Sequence, residues 1–223
     1  MAIITISRQY ASGGDEVADR VGEALGYPHF DKRMITQAAA EAGISESEVF
    51  DYSEDSHKVR SFMDRLFNRS VMMAAGYMLE SGGFSVYDLD MPLGEDVMLS
   101  LVQKAIRSAY QIGNMVIVGR GSQVILQGKP KAVHIRIEAP MEYRIQCLKE
   151  KIKQSRQLFQ ADLEARRDAQ DIILDRDAAS ADYIKRHYNR DWNDALLYHL
   201  VLNMGRISTE RATQVIVDLV KDL

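Results

Sequence analysis

Short, mostly apolar runs are the most regular pattern in the chain. Three of them, residues 1–7, 115–118 and 132–137, are each followed by a glycine or a charged residue. Each run predicts a strand, and the near-continuous hydrophobicity of residues 1–7 is typical of a strand that is covered on both faces, as in a parallel sheet. Two further runs, residues 29–31 and 198–203, predict two more strands. The chain is therefore expected to contain a mainly parallel sheet of about five strands.

Helical periodicity separates these runs. Apolar residues recur at helical spacing through residues 15–25, and Gly26 follows where a left-handed cap would end the helix. Residues 96–111 and 140–153 show the same periodicity, and Ser208 or Thr209 is expected to cap a last helix. Strands that alternate with helices indicate βαβ units and an α/β fold.

The junction of the first strand and the first helix is a candidate anion site. Ser12, Gly13 and Gly14 lead directly into a helix start, where unpaired amides and the positive end of the helix dipole favour an anion. Aligned on the P-loop pattern G-x-x-x-x-G-K-[ST], Arg8 and Gly13 stand at the two glycines, and Gly14 and Asp15 at Lys and Ser/Thr. Since one defining position survives, the pattern leaves two interpretations: a phosphate-binding loop, and an ordinary turn with a helix cap.

A second candidate follows the run at residues 115–118. Gly119-Arg120-Gly121 comes where open α/β sheets bind ligands, beyond the carboxyl ends of their strands. A guanidinium there can bind phosphate in a bidentate manner, while the glycines leave space around it. The alternative is that Arg120 pairs with a carboxylate at the edge of the core.

Composition and charge exclude several classes of protein. The chain of 223 residues is 46% hydrophobic and 27% charged, with a net charge of -4, which argues against a protein that coats a nucleic acid polymer. The single cysteine, Cys147, can form no intrachain disulfide. No leader-like segment and no run of ~18 apolar residues occurs. We therefore expect a cytoplasmic protein that binds no membrane.

Five segments, in order along the chain, carry a resemblance to a known family: Ser7 to Glu16, Gly26 to Lys32, Val118 to Gly121, Ile135 to Pro140 with Arg144, and Tyr183 to Asn203. Together they resemble the cytidylate kinase-like family of P-loop kinases over nearly the whole chain. The resemblance implies an α/β, three-layer P-loop kinase fold with a five-stranded, mainly parallel sheet. It also implies a single domain over residues 1–223, which contains a helical acceptor-binding insert at 41–95 and a lid at 150–182.

The resemblance implies ATP and Mg²⁺ as cofactors. It also implies a role for each candidate site residue. Cations that neutralise the transferring phosphates would be Arg120, Arg144 and Arg176. Residues that bind the donor nucleotide would be Arg8, Ser12, Gly13, Gly14 and Asn203. Residues that bind the acceptor would be Asp31, Lys32, Arg60 and Arg120, although Asp31 is equally interpreted as a helix cap and Arg60 as part of a solvated helix face. In an active kinase the metal ligand would be Asp15, at the position that Ser/Thr usually holds, and the alternative is that its carboxylate repels the phosphates.

Three positions depart from the family pattern. Gly121 stands where related cytidylate kinases have an Asp after Gly-Arg. Asp15 stands where an Arg generally follows the glycines, and Ser180 stands where an Arg is expected three residues after Asp177. Arg176 is a neighbouring cation, although a helix would turn its side chain about 100° away. Three functions therefore remain open: an active kinase for a CMP-like nucleoside monophosphate, a catalytically impaired nucleotide-binding relative that acts as a sensor or interaction protein, and a P-loop kinase for another small acceptor. The Met-rich insert also allows a homodimer face.

Overall fold

The structure is a computed structural model that describes residues 1–30, 95–155 and 162–222. The strands in these ranges are β1 (Ile3–Arg8), β2 (His29–Phe30), β3 (Met115–Val118), β4 (Ala132–Glu138) and β5 (Leu200–Asn203). The helices in the same ranges are α1 (Gly14–Leu25), α2 (Glu95–Ile112), α3 (Ser122–Ile125), α4 (Met141–Ser155), α5 (Asp162–Tyr188) and α6 (Thr209–Lys221). A 3₁₀ turn (Ala195–Leu197) precedes β5.

The five strands form one sheet in the order β2-β3-β1-β4-β5. β1 pairs in parallel with both β3 and β4, and β4 pairs in parallel with β5. Ile3, at the start of β1, lies opposite Met115 on one side and Ala132 on the other. These pairings confirm the predicted α/β class and the five-stranded, mainly parallel sheet.

The main core forms where α1 and α6 pack with the inner strands. Ile4 and Ile6 of β1 and Ile135 and Ile137 of β4 are completely buried, and they share one cluster with Ile216 of α6. Burying one such side chain contributes about 1.5–3 kcal/mol relative to leaving it in water. The apolar runs in the sequence therefore correspond to the strands that hold the fold together.

Helix ends confirm the predicted caps. Gly26 has a φ of +67° and donates its N–H to the carbonyl of Glu23, while Tyr27 donates to the carbonyl of Gly22 at 2.8 Å. The Ser208 hydroxyl oxygen accepts the N–H of Arg211 at 3.3 Å, as a helix cap does. Both ends lie within one residue of the positions that the periodicity predicted.

The chain divides into two compact units, one made of Met1–His29 with Ala109–Leu223 and the other of Phe30–Ser108. The first contains the phosphate-loop candidate and the main core. In the second, Ile106 of α2 is completely buried. The predicted insert at 41–95 lies, except for its last residue, outside the described residues, as do Asp31, Lys32 and Arg60.

The predicted lid at 150–182 is described in part, by residues 150–155 of α4 and residues 162–182 of α5. The single domain, the insert and the lid stay predictions. None of the helices in the described part of the chain combines the length and the apolar character that a membrane crossing requires.

Candidate phosphate-binding site

The loop between β1 and α1 brings an uncapped helix start to the end of a central strand. Gly13, with a φ of +83°, precedes α1 and makes no side-chain cap. The amide of Gln9 donates to the carbonyl of Ile137 at 3.0 Å, and the amide of Ser12 donates to the carbonyl of Gln9 at 3.3 Å. Because the first amides of a helix have no partner inside it, the first turn of α1 can donate hydrogen bonds to an anion.

Gly14 stands where a usual P-loop has lysine, and the packing around it leaves no room for a side chain. A Cβ at this position would lie 2.5 Å from the Cβ of Arg8 and 3.2 Å from the Cβ of Ile137. Any side chain would therefore force β1 or β4 to shift. The loop must obtain its positive charge from other residues.

Arg8 supplies one of these charges from the end of β1. Its Nε lies 2.8 Å from Oδ1 of Asp15, and both side chains are substantially exposed. Such a surface pair contributes about 0–1 kcal/mol, so an incoming phosphate can compete for the guanidinium. A Cβ placed on Gly119 would lie 3.0 Å from Nη1 of Arg8, which shows that Arg8 reaches the loop after β3.

The loop after β3 has a left-handed backbone at three consecutive residues, Gly119, Arg120 and Gly121, with φ angles of +71°, +60° and +70°. The amide of Gly119 donates to the carbonyl of Ile6 at 2.9 Å, and the hydroxyl of Ser122 donates to the carbonyl of Gly119 at 2.8 Å. These bonds fix the half-buried Arg120 at the carboxyl edge of the sheet.

Arg144 of α4 and Asp177 of α5 meet at Tyr10, in the loop itself. Asp177 accepts the amide of Tyr10 through Oδ1 at 2.8 Å and pairs with Nη1 of Arg144 through Oδ2. The two side chains are 7% and 17% exposed, so this ion pair is largely withdrawn from water. The guanidinium carbon of Arg176 lies 5.7 Å from the centre of the Tyr10 ring. Two of the predicted cations, Arg144 and Arg176, are therefore adjacent to the loop.

A polar cluster beneath the loop was not predicted from the sequence. This Ser7 cluster consists of Ser7, Arg136, Glu138, Trp192 and Tyr198. The Ser7 hydroxyl oxygen accepts Nε1–H of Trp192 at 2.9 Å and an Nη1–H of Arg136 at 3.3 Å. The Arg136 guanidinium lies 3.8 Å from the centre of the Trp192 ring and pairs with Glu138 at 3.0 Å. The cluster ties the last residues of β1 to β4 and to the segment after α5.

Asn203 lies at the carboxyl end of β5, two strands from β1. Its side-chain oxygen accepts the amide of Gly205 at 3.0 Å, which shapes the turn that follows the strand. Asn203 is exposed, and its predicted contact with the donor nucleotide stays a prediction.

Described site residues gather at the carboxyl ends of the parallel strands, where open α/β sheets bind ligands. They are Arg8, Ser12, Gly13, Gly14 and Asp15 at the β1–α1 junction, Arg120 after β3, Arg144 and Arg176 beside Tyr10, and Asn203 at the end of β5. Their roles in binding and catalysis stay predictions.

Residues that could hold Mg²⁺ are limited in the described ranges, which contain no group of three His, Cys, Asp or Glu side chains arranged around a metal position. Mg²⁺ in phosphate sites usually binds one or two carboxylates and completes its shell with water and phosphate oxygens. The Asp15 carboxylate is 61% exposed at the start of α1, so it is accessible to a hydrated cation. A single carboxylate of this kind fits that mode of binding.

The model of the cytidylate kinase-like family matches residues 3–206. The chain belongs to this family. Membership, together with the parallel sheet and the glycine-containing loop after β1, identifies a three-layer P-loop kinase fold. It supports a P-loop phosphotransferase that uses a nucleotide and, as is usual in such enzymes, Mg²⁺.

Similar solved structures span the whole fold of this cytidylate kinase-like chain. An uncharacterised protein from Eubacterium ventriosum ATCC 27560 is 16% identical, with a TM-score of 0.63 and 100% of both chains covered. A shikimate kinase from Bacteroides thetaiotaomicron is 10% identical, with a TM-score of 0.49 over 99% of this chain and 98% of that one. A shikimate kinase from Acinetobacter baumannii, in complex with shikimate, is 13% identical, with a TM-score of 0.46 over 100% and 94%. The first likeness concerns the fold alone, and no curated protein sequence matches the chain.

Proposed function

We propose that this protein transfers the γ-phosphate of ATP to a nucleoside monophosphate of the CMP type. The observation that carries the proposal is the β1–α1 junction, where an uncapped helix start adjoins two arginines, Arg8 and Arg144. Helix amides and guanidinium groups are the donors that proteins use for phosphate.

Phosphoryl transfer requires positioning and charge neutralisation more than covalent help from the protein. A phosphate oxygen of the acceptor attacks the γ-phosphorus of ATP, the bond to the bridging oxygen breaks, and two nucleoside diphosphates leave. In this proposal Gly13 and Gly14 donate backbone amides to the donor phosphates, and Ser12 adds a third when its amide leaves the 3.3 Å bond to the Gln9 carbonyl. Arg120, Arg144 and Arg176 neutralise the charge on the oxygens around the transferred group.

Mg²⁺, when bound, would supply positive charge that offsets the negative charge of the donor phosphates. We assign Asp15 as its protein ligand, since this carboxylate stands at the first turn of α1 and is accessible to a hydrated cation. Asn203 would contact the donor nucleotide, and Asp31, Lys32 and Arg60 the acceptor. We further infer a cytoplasmic protein that forms a homodimer through its Met-rich segment.

A second candidate function is a catalytically impaired relative that binds nucleotide as a sensor or an interaction protein. Two observations favour it. Arg8 and Arg144 each pair with an acid of the chain itself, and Ser180 stands where the family has an arginine. The Ser180 hydroxyl donates to the carbonyl of Arg176 at 3.0 Å, within its own helix. Fewer available cations would lower the rate while leaving nucleotide binding in place.

Calorimetric titration with ATP, first with Mg²⁺ and then without it, tests the proposal. We expect micromolar binding that requires Mg²⁺, and ADP formation when CMP is added to the same cell. Asp15→Ala is expected to weaken ATP binding about tenfold with Mg²⁺, because the metal loses its protein ligand. Without Mg²⁺ the same variant is expected to bind ATP more tightly, because one negative charge near the phosphates is gone.

The matched control is Asp19→Ala, which removes an exposed carboxylate one helical turn further along α1. Binding of ATP without turnover on CMP or any other small acceptor supports the impaired relative. Turnover with a different acceptor supports a P-loop kinase of other specificity. Absence of ATP binding under both conditions contradicts the proposed function.

A further inference from the structure

Asp177 occupies two donors at the phosphate-loop candidate, the amide of Tyr10 in the loop and the guanidinium of Arg144 in α4. Its two carboxylate oxygens are bound separately, Oδ1 by the amide of Tyr10 at 2.8 Å and Oδ2 by the guanidinium of Arg144. We propose that Asp177 is an internal anionic ligand of the loop, which the polyphosphate of a nucleotide displaces. This inference rests on the proposed function, since it names how access to the same loop is regulated.

The way in which Asp177 is held resembles the binding of a phosphate group. One oxygen accepts a main-chain amide at the glycine-containing loop, and the other accepts a charged guanidinium N–H. Phosphate oxygens prefer the same two kinds of donor. The carboxylate comes from α5, 167 residues away from Tyr10 along the chain, so the contact is made by the fold and not by local sequence.

Burial makes an anion beside Arg144 necessary. The Arg144 side chain is 7% exposed, and a guanidinium so far withdrawn from water requires a compensating charge. Asp177 supplies that charge in the free protein. A phosphate would supply it equally well in a complex, so the carboxylate and the phosphate are alternatives at the same cation.

Arg144 also retains a donor for an incoming group. Its Nε is buried and has no hydrogen-bond acceptor among the residues that the structure describes. Its Nη1 lies 3.5 Å from the carbonyl of Tyr10, which keeps the guanidinium beside the loop when Asp177 leaves. Displacement therefore exchanges one anion for another and breaks the hydrogen bond between Asp177 of α5 and the Tyr10 amide.

Titration with inorganic tripolyphosphate, followed by ATP, tests the proposal on three full-length proteins: the wild type, Asp177→Asn and Asp175→Asn. Asp177→Asn keeps an acceptor for the Tyr10 amide but removes the charge that competes with phosphate. We expect it to bind tripolyphosphate at least about tenfold more tightly than the wild type, which corresponds to about 1.4 kcal/mol. Asp175→Asn removes an exposed carboxylate of the same helix and is expected to bind within about twofold of the wild type.

Thermal melts followed by circular dichroism establish that each variant is folded, and Asp177→Ser provides a second variant if Asp177→Asn is not. Tighter binding by the Asp177 variant, or binding by that variant alone, supports the proposal. Equal or weaker binding overturns it, because Asp177 then orients Arg144 for the ligand, while the proposed function stands. Absence of binding by all three proteins overturns both.

Discussion

Among single residues, those after β3 are the most restricted, because the backbone there is left-handed and favours glycine. Arg120 has a φ of +60° between two glycines that share the same conformation. For a residue with a Cβ this region costs about 1–2 kcal/mol, so the neighbouring contacts must hold Arg120 there. The bond from the Gly119 amide to the Ile6 carbonyl is one of them. The backbone beside Arg120 is therefore held in part by β1.

Gly121→Ala is expected to destabilise the protein by about 3 kcal/mol. About 1 kcal/mol comes from the positive φ, and the remainder from overpacking, because the new Cβ would lie 2.6 Å from the Tyr188 ring. Gly128→Ala is the matched control, since its φ of +71° is nearly the same and no atom lies within 4 Å of the new Cβ. We expect that variant to lose about 1 kcal/mol. Urea denaturation measures the free energy of unfolding of both variants. Equal losses would contradict the overpacking, because the Tyr188 ring would then move aside at no cost in free energy.

Among elements, the Ser7 cluster joins three parts of the chain that the sheet alone does not join. Ser7 ends the buried part of β1, Arg136 belongs to β4, and Trp192 lies in the segment after α5. Arg136 is 1% exposed, and its charge is compensated by Glu138 and by the face of the Trp192 ring. The cluster thus sets where β1 ends and where the phosphate-loop candidate begins.

Ser7→Ala is expected to lower the free energy of unfolding by about 2 kcal/mol. The change removes the acceptor of the buried Nε1–H of Trp192, and a buried donor without an acceptor costs about 1–3 kcal/mol. Nη1 of Arg136 also loses Ser7 but keeps the Trp192 carbonyl at 3.2 Å and the Tyr198 hydroxyl at 3.4 Å. Trp192 is the only tryptophan, so its fluorescence reports on the cluster directly. Ser180→Ala, on the exposed side of α5, is the control and is expected to change stability by less than about 0.5 kcal/mol. A loss no larger than that of the control would contradict the assigned role of Ser7.

The elements themselves could largely be predicted from the sequence, because apolar runs and glycine caps are local signals. The strand at 115–118 and the cap at Gly26 are examples. The Ser7 cluster could not be predicted, since Ser7 and Trp192 are 185 residues apart and each alone is typical of an ordinary core position. The contact between Asp177 and Tyr10 could not be predicted either, because it depends on how α5 packs against the loop.

For the molecule as a whole, a buried histidine links the stability of the sheet to pH. His134 in β4 is 3% exposed, its Nδ1 lies 2.8 Å from the Thr5 hydroxyl in β1, and its amide donates to Nδ1 of His199. Burial, assisted by the charge of His199, lowers the pKa of His134 from 6.5 to about 4. The folded protein thus keeps this ring neutral at a pH where the unfolded chain protonates it.

Stability is therefore expected to fall as the pH drops from about 6.5 to about 4, and the contribution of His134 is fully present above pH 6.5. A pKa that is lower in the folded state means that the unfolded chain binds more protons in this interval, which favours unfolding by on the order of 3 kcal/mol at its acid end. In His134→Gln the free energy of unfolding is expected to fall less over this interval, because the titrating ring is gone. Urea denaturation of both proteins across the interval measures it, and a difference between them that does not vary with pH would contradict the prediction.

The central position of β1 also bears on how the protein is made. β1 precedes both of its partner strands along the chain, and Ile3 pairs with Met115 and Ala132, more than a hundred residues later. At about 5–20 residues per second, the strand waits on the order of 6 to 25 s for its first neighbour among the inner strands. Until those strands follow, the apolar segment lacks the neighbours that pair with it in the sheet, and unpaired apolar strands are prone to aggregate.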